Sequence, residues 1–198
     1  MPAGRDTSPR RRALFLDRDG VINVDHGYVY RVEDFEFIPG IFELVRYAVH
    51  DLGWHVIIVS NQSGIGRGYF DEATYQTLTD WMLARFQAEN APITRAYHAP
   101  HHPEHGIGAY RVDHAWRKPK PGMLLQAAID FDLDLPGSAM IGDSLSDMQA
   151  AEAAGVGLRI LLEPAAEASS VGNATFHVAK THADALVILR QSVHNSGL

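Results

Sequence analysis

Two aspartates separated by one residue, Asp17 and Asp19, directly follow a short apolar run at Ala13–Leu16. If the extended conformation continues past that run, both side chains lean to the same side, and carboxylates so close repel each other unless a positive charge neutralises them. Asp143 follows a later apolar run and could supply a further oxygen. Because carboxylate oxygens suit Mg²⁺ and the chain has no Cys, this pattern predicts a magnesium site.

These residue types also suggest a reaction. A carboxylate beside a divalent cation can attack phosphorus as a nucleophile, while a second carboxylate can protonate the leaving oxygen. The alternative is that Asp-x-Asp-Gly marks a turn or part of a calcium-binding loop. The full calcium-loop pattern is not met, because Asn23 occupies a plausible third ligand position but the required Gly and Glu do not follow.

Short apolar runs alternate with helical patterns after residue 11, which is typical of βαβ units. Strands are predicted at Ala13–Leu16, His55–Val59, Arg95–Ala99, Ala139–Ile141, Val156–Leu162 and Thr175–Val178. Helices are predicted at Ile41–Leu52, Pro121–Phe131, Leu145–Ala154 and Ala183–Val193, and from an N-cap at Asp71 to about Glu89. The expected fold is α/β, with a Rossmann-like, doubly wound, mostly parallel sheet and no large cap domain.

Ligands of an open parallel sheet bind beyond the carboxyl ends of its strands. The residues to inspect are therefore the polar ones that follow the apolar runs, namely Asp17–Gly20, Ser60–Ser63, His101-His102 and Gly142-Asp143. The glycines Gly64, Gly66 and Gly68 do not match a dinucleotide-binding turn, and we interpret them as part of a flexible substrate loop.

Four motifs resemble those of the haloacid dehalogenase superfamily of phosphotransferases, in the same order and at the predicted strand ends. They are Asp17-Arg18-Asp19-Gly20-Val21-Ile22-Asn23, Ser60-Asn61, Lys118 within Arg117-Lys118-Pro119-Lys120-Pro121, and Gly142-Asp143. Further segments, among them Asp25-His26-Gly27-Tyr28 and Asn61-Gln62-Ser63-Gly64-Ile65-Gly66-Arg67-Gly68, resemble the branch that contains D-glycero-D-manno-heptose 1,7-bisphosphate 7-phosphatases and histidinol-phosphatases. The segment Asp25–Tyr28 favours the heptose type.

The resemblance implies a role for each matching position. Asp17 would be the nucleophile and Asp19 the general acid and base, and Mg²⁺ would be bound by Asp17, the main-chain carbonyl of Asp19, and Asp143. Ser60 and Lys118 would hold the transferring phosphoryl group. The residues expected to bind the substrate are Asp25, His26, Gly27, Tyr28, Asn61, Gln62, Ser63, Arg67 and Arg117. Of these, the two arginines suit a second phosphate, because a guanidinium matches phosphate oxygens.

The sequence departs from this branch in the loop before Arg117. Members often carry a structural zinc there, held by three Cys and one His, whereas the matching positions here are Ala99, His101, His114 and Trp116. Ala99 and Trp116 cannot bind a metal, so we do not expect a structural zinc, although an improvised site of histidines is conceivable. We expect Trp116 and its neighbours to pack the loop apolarly instead. A second departure, Ser144 in place of a frequent Lys, bears on the substrate.

The resemblance implies removal of the 7-phosphate of a heptose bisphosphate, on the way to lipopolysaccharide or another glycan. The alternatives are a histidinol-phosphate or general sugar-phosphate phosphatase, a phosphotransferase or mutase, and a catalytically silent binding module. A phosphotransferase usually needs a cap that excludes water, and this chain is short for one.

The composition of the chain limits the kinds of molecule that it is expected to bind. The chain has 198 residues and a net charge of −7, which disfavours binding to the nucleic-acid backbone. No apolar run is long enough for a membrane helix, and no signal peptide is recognised. We expect a mobile tail at residues 1–11, a single phosphatase domain at residues 12–198, a cytoplasmic monomer, and a small phosphorylated sugar as the partner.

Overall fold

A single sheet of six parallel strands organises the computed structural model, which describes residues 11–163 and 176–195. The strands are β1 (Ala13–Leu16), β2 (His55–Asn61), β3 (Arg95–Ala99), β4 (Ala139–Gly142), β5 (Leu158–Leu162) and β6 (His177–Ala179). They lie in the order β3-β2-β1-β4-β5-β6, and all five pairings are parallel. The predicted α/β fold is confirmed, and β1 and β3 have the predicted bounds. Thr175, predicted to begin the last strand, lies outside the described residues.

The described ranges contain six α-helices: α1 (Ile41–Arg46), α2 (Ser63–Gly66), α3 (Glu72–Ala88), α4 (Gly122–Phe131), α5 (Leu145–Ala154) and α6 (His182–Asn195). A π-helical segment, Tyr47–Asp51, continues α1, so the helix predicted at Ile41–Leu52 is α-helical only as far as Arg46. The predicted N-cap is confirmed, since the Asp71 carboxylate accepts the amide of Thr74 at 2.8 Å. The loop predicted around Gly64 is wrong for Ser63–Gly66, which form α2. Of the helices in these ranges, none combines the length and apolarity that a membrane crossing requires.

The core lies on both faces of the sheet, because successive side chains of a strand point to opposite faces. Leu14 and Leu16 of β1 face one buried cluster, which includes residues of α1, α3 and α6. Ala13 and Phe15 face the other, which includes residues of α4 and α5. This two-sided covering explains why the central strands β1 and β4 appear in the sequence as nearly continuous apolar runs.

Strand β1 occupies the centre of the sheet and pairs with both β2 and β4. The chain therefore winds outward in opposite directions from β1, and a crevice opens where the carboxyl ends of these strands diverge. The amide of Asp17 donates to the carbonyl of Ile141 at 3.1 Å, which fixes the end of β1 beside that of β4. The fold thus brings residues 17–20, 60–63 and 142–144 to one edge.

The predicted tail falls largely outside the described residues. Its last member, Arg11, pairs with Leu133, and the Arg11 carbonyl accepts the amide of Asp134 at 2.7 Å. The domain boundary near residue 12 stays a prediction.

Candidate active site

A cleft of about 380 Å³ opens at the carboxyl ends of β1, β2 and β4. It gathers most of the site residues predicted from the sequence. Those that line it are Asp17, Asp19, Asp25, Gly27, Tyr28, Ser60, Asn61, Gln62, Ser63, Lys118 and Asp143, joined by Ser144 and Ser146. The four superfamily-like motifs therefore converge on one cavity, although they are spread over more than a hundred residues of sequence.

Lys118 lies buried between two carboxylates at the floor of this cleft. Its Nζ lies 2.9 Å from Oδ1 of Asp17 and 2.5 Å from Oδ1 of Asp147. The same Nζ donates to the carbonyl of Val59 at 2.9 Å. The backbone of Lys118 is fixed as well, because Asn61 accepts its amide at 3.0 Å and donates to its carbonyl at 3.1 Å. Asn61 therefore helps to place the lysine.

Negative charge is in excess around this lysine. Burial raises the pKa of Asp17 to about 8; Lys118 opposes the shift, whereas Asp147 and Asp143 add to it. Burial also raises the pKa of Asp143 to about 6, with Asp147 adding to the shift and Lys118 opposing it. Burial by itself lowers the pKa of Lys118, but Asp17 and Asp147 outweigh it and hold that pKa above its ordinary value. One lysine does not balance three neighbouring carboxylates.

The crowded carboxylates fit a divalent cation. Oxygens of Asp17, Asp143 and Asp147 lie within 4.8 Å of one another, and such oxygens are the ligands that Mg²⁺ prefers. The approach of Asp143 depends on Gly20, because a Cβ at position 20 would fall 1.9 Å from Oδ2 of Asp143. Gly20 also has φ +78, a conformation that residues with a side chain rarely adopt.

Asp19 lies in a different environment from Asp17, although one residue separates them. Nη2 of Arg18 donates to both carboxylate oxygens of Asp19 at 2.9 Å. Asn23 donates to Oδ1 at 3.1 Å, and Gln62 donates to Oδ2 at 2.8 Å. Donors of neutral or positive charge thus surround Asp19, whereas like charges crowd Asp17.

Ser60, at the end of β2, and Gln62, just after it, lie beside Asp17 and Asp19 in the cleft. Ser60 is buried, and its hydroxyl accepts from Nε2 of Gln62 at 2.9 Å. Strand β2 continues through Ser60 and Asn61, past the predicted end at Val59, because these two residues pair with His98 and Ala99 of β3. Ser60 therefore stands on a strand, which fixes it more firmly than a loop would.

The segment Asp25–Tyr28 forms a tight turn at the mouth of the cleft. The carboxylate of Asp25 accepts the amide of Gly27 at 2.8 Å, and both Gly27 and Tyr28 have positive φ. This reversal directs His26 away from the lining of the cleft, and its Nε2 lies 3.8 Å from Glu36. Asp25, Gly27 and Tyr28 thus reach the cleft, whereas the structure does not bring His26 into it.

Two arginines lie beyond Tyr28, outside the lining of the cleft. Burial and the neighbouring Arg67 lower the pKa of Arg117, and the Arg117 guanidinium donates to the carbonyl of His101 at 3.2 Å. Nε of Arg67 is buried and has no hydrogen-bond partner in the part of the chain that the structure describes. Two adjacent guanidinium groups with an unused donor can receive a dianion.

The loop spanning residues 98–117 contains stacked rings. The rings of His101 and His114 stack with centroids 4.1 Å apart and an angle of 15° between their planes. Trp116 meets Tyr97 edge to face at 5.8 Å, and Ala99 is completely buried. The expected aromatic packing around Trp116 is therefore present.

Several residues of this site had no role predicted from the sequence, among them the buried Asp147 and Arg18. Asp147 is fully buried in the first turn of α5, where its carboxylate accepts from both the amide and the hydroxyl of Ser144. Its position four residues after Asp143 was a usable signal. Arg18 gave no such signal, because arginine between two aspartates reads as an exposed residue, yet its side chain is 2% exposed.

Comparison with known proteins identifies the family. Residues 115–181 match a family model described as HAD-hydrolase-like. A D-glycero-alpha-D-manno-heptose-1,7-bisphosphate 7-phosphatase from Burkholderia mallei is 51% identical over 91% of this chain and 94% of that protein. A beta-anomer counterpart from Vibrio cholerae is 48% identical, over 82% of this chain and 87% of that protein.

Solved structures agree. A D,D-heptose 1,7-bisphosphate phosphatase from B. bronchiseptica, complexed with magnesium and phosphate, has a TM-score of 0.76 and 30% identity, and the match covers 91% of this chain and 99% of that chain. A HAD-like phosphatase structure from Mesorhizobium loti has a TM-score of 0.83 and 32% identity, with 98% and 90% covered. The resemblance inferred from the sequence is confirmed: the chain belongs to the haloacid dehalogenase-like hydrolases, in the family of heptose 1,7-bisphosphate 7-phosphatases, which are phosphoric monoester hydrolases.

Proposed function

We propose that this protein is a Mg²⁺-dependent phosphatase that removes the 7-phosphate of D-glycero-D-manno-heptose 1,7-bisphosphate through an aspartyl-phosphate on Asp17. The observation that carries the proposal is the convergence of Asp17, Asp19, Lys118 and Asp143 on one cleft. The substrate is supported by the activity for which relatives that are 51% and 48% identical to this chain are named.

In the first half of the reaction, a carboxylate oxygen of Asp17 attacks the phosphorus. The bond between phosphorus and the sugar oxygen breaks, and that oxygen keeps the electron pair and takes a proton from Asp19. Asp19 is left as a carboxylate, which the donors on Arg18, Asn23 and Gln62 stabilise. The products are the sugar alcohol and an acyl phosphate on Asp17.

In the second half, the Asp19 carboxylate takes a proton from a water molecule as the water oxygen attacks phosphorus. The bond between phosphorus and Asp17 breaks, inorganic phosphate leaves, and Asp17 returns as a carboxylate. Asp19 is again protonated, so each cycle consumes one water and one phosphate ester. The same carboxyl group serves as acid and then as base, as microscopic reversibility requires.

Positive charge must face the phosphoryl oxygens throughout. Nζ of Lys118, 2.9 Å from Asp17, supplies a fixed positive charge beside the attacking oxygen, and the buried hydroxyl of Ser60 supplies a donor. Mg²⁺ bound by Asp17, Asp143 and the main-chain carbonyl of Asp19 would offset the repulsion between the phosphate and these carboxylates.

The rest of the substrate would extend from the cleft toward the two arginines. Asp25, Gly27 and Tyr28 line the cleft mouth. The carboxylate of Asp25, the backbone of Gly27 and the phenol of Tyr28 can form hydrogen bonds with sugar hydroxyls. Arg67 and Arg117 would receive the 1-phosphate, and the buried, unpartnered Nε of Arg67 supports that assignment. His26 stays a candidate contact only if the turn rearranges.

A substrate panel tests this function. Both anomers of the heptose bisphosphate, histidinol phosphate and several hexose phosphates are assayed for phosphate release with Mg²⁺ and after chelation. We expect the bisphosphate to have the highest kcat/KM and chelation to remove activity. Histidinol phosphate turned over as fast as the bisphosphate would contradict the substrate. Consumption of the bisphosphate in ¹⁸O-labelled water without release of labelled inorganic phosphate would contradict hydrolysis, and transfer of the phosphate to another sugar would indicate a phosphotransferase.

We also propose that no zinc is needed in the loop spanning residues 98–117. The support is chemical, because Ala99 and Trp116 offer no metal ligand, and geometric, because the His101 and His114 rings stack on each other. Domain extent over residues 12–198, the monomeric state, the cytoplasmic location and the absence of nucleic-acid binding all stay predictions.

A further inference from the structure

Arg18 is a buried cation that the proposed mechanism does not use directly. Its side chain is 2% exposed, and it heads the set of large side chains that are almost fully buried. Besides the contacts of Nη2, its Nε lies 3.3 and 3.2 Å from the two oxygens of Asp19. A guanidinium that meets a carboxylate through two nitrogens fixes the plane as well as the position of that carboxylate.

The same guanidinium is tied to the segment that shapes the cleft mouth. Nη2 of Arg18 donates to the carbonyl of Val29 at 2.7 Å, and Val29 immediately follows the turn that carries Asp25, Gly27 and Tyr28. Cζ of Arg18 lies over the ring of Tyr75 on α3, 6.0 Å from its centroid, at the outer limit of a cation–π contact. Arg18 therefore has contacts on three sides and little freedom to move.

We propose that Arg18 is a positioning residue that holds the Asp19 carboxyl in register with the turn at residues 25–28. Proton transfer to the leaving oxygen depends on hydrogen-bond distance between the acid and that oxygen. By connecting Asp19 to Val29, Arg18 sets that distance from the side where the sugar binds. This inference rests on the role proposed above for Asp19.

A series of phosphate esters with graded leaving groups separates positioning from mere support of the fold. Phenyl phosphates with increasingly electron-withdrawing substituents, ending at p-nitrophenyl phosphate, need progressively less protonation of the leaving oxygen. For Arg18→Lys, which keeps the charge but not the planar two-nitrogen contact, we expect kcat/KM to fall about 100-fold with alkyl or unsubstituted phenyl phosphate. With p-nitrophenyl phosphate we expect a fall of less than about threefold.

The ratio of the two kcat/KM values does not depend on the fraction of enzyme that is folded, so partial unfolding of the variant cannot imitate the result. Arg46→Lys, which changes a half-buried arginine bonded to the carbonyl of Glu89, should leave the ratio unchanged. Asp19→Asn should show the same steep dependence on the leaving group as Arg18→Lys.

Each combination of results has one meaning. A steep dependence in both Asp19→Asn and Arg18→Lys supports the inference. A steep dependence in Asp19→Asn with equal losses across the series in Arg18→Lys would overturn the inference and leave the proposed function standing. An equal loss across the series in Asp19→Asn, whatever Arg18→Lys shows, would contradict the assignment of Asp19 as the general acid and, with it, this inference.

Discussion

In the cleft, three carboxylates have oxygens within 4.8 Å of one another around a single lysine, whereas in the loop spanning residues 98–117 aromatic rings pack on one another, such as those of His101 and His114 at 4.1 Å. The first arrangement opposes folding, because each buried charge loses its hydration. The second favours folding through apolar burial and ring contact. The difference teaches that this chain crowds buried carboxylates at the carboxyl ends of its central strands, whereas aromatic ring contacts pack the loop.

In the cleft, replacing the proposed nucleophile Asp17 should have the largest effect on catalysis. Asp17→Asn should lower kcat by at least about 10⁴-fold, because the amide cannot form the acyl phosphate. Its melting temperature without metal should not fall, since the change removes one of the crowded carboxylates. Phosphate release and thermal unfolding measure the two effects. Asp80→Asn, on the exposed surface of α3, is the control, and residual activity near the wild-type rate in Asp17→Asn would refute the assignment.

The buried lysine comes next. Lys118→Met leaves Asp17 and Asp147 without their cation, so we expect a loss of about 3–5 kcal/mol in the free energy of unfolding and about 10²–10³-fold in kcat. Lys120→Met is a matched control two residues away. It removes a surface ion pair with Asp113 at 2.6 Å and should cost no more than about 1 kcal/mol. Similar unfolding curves for the two variants would contradict the claim that Asp17 and Asp147 depend on the buried cation of Lys118.

Competition between protons and Mg²⁺ for the carboxylates of Asp17 and Asp143 should change the melting temperature by a smaller amount, in a direction that depends on pH. The protonated forms of Asp17 and Asp143 contribute stability that is fully present below the ordinary value of 3.8 and is lost as the pH rises through about 6 for Asp143 and about 8 for Asp17. Because Mg²⁺ would replace those protons, we expect a given Mg²⁺ concentration to raise the melting temperature more at pH 8 than at pH 6. An equal rise at both pH values would place the cation elsewhere.

The loop should give the smallest effect on catalysis. Trp116→Ala removes the ring packed on Tyr97, and we expect it to cost about 1–3 kcal/mol of stability while changing kcat/KM by less than about threefold. A zinc chelator should leave the melting temperature of the wild type unchanged. Zinc found by elemental analysis in stoichiometric amount, with destabilisation by the chelator, would overturn the proposal of a metal-free loop.

Much of the fold and part of the site could be predicted from the sequence. The apolar run of β1 gave its bounds, because burial on both faces leaves a continuous signal, and the strand-end rule placed Asp17 and Asp143 at one edge. Asp147 was not predicted as a site residue because an aspartate in the first turn of a helix is explained by capping alone. Its contact with Lys118 becomes visible only in the folded chain. The position of His26 depends on the turn at Gly27 and Tyr28, whose backbone conformation no pattern at the sequence level specifies.

Chemical trapping of the phosphorylated enzyme tests the central claim most directly. Enzyme mixed with excess substrate is quenched in acid during turnover and reduced with borohydride, which converts an aspartyl phosphate to homoserine, and peptide mass spectrometry locates the change. We expect homoserine at position 17 in the wild type and none in Asp17→Asn. Homoserine at another residue would contradict an aspartyl phosphate on Asp17. So would its absence at position 17 while substrate is consumed, provided that a related phosphatase treated in the same way accumulates its intermediate.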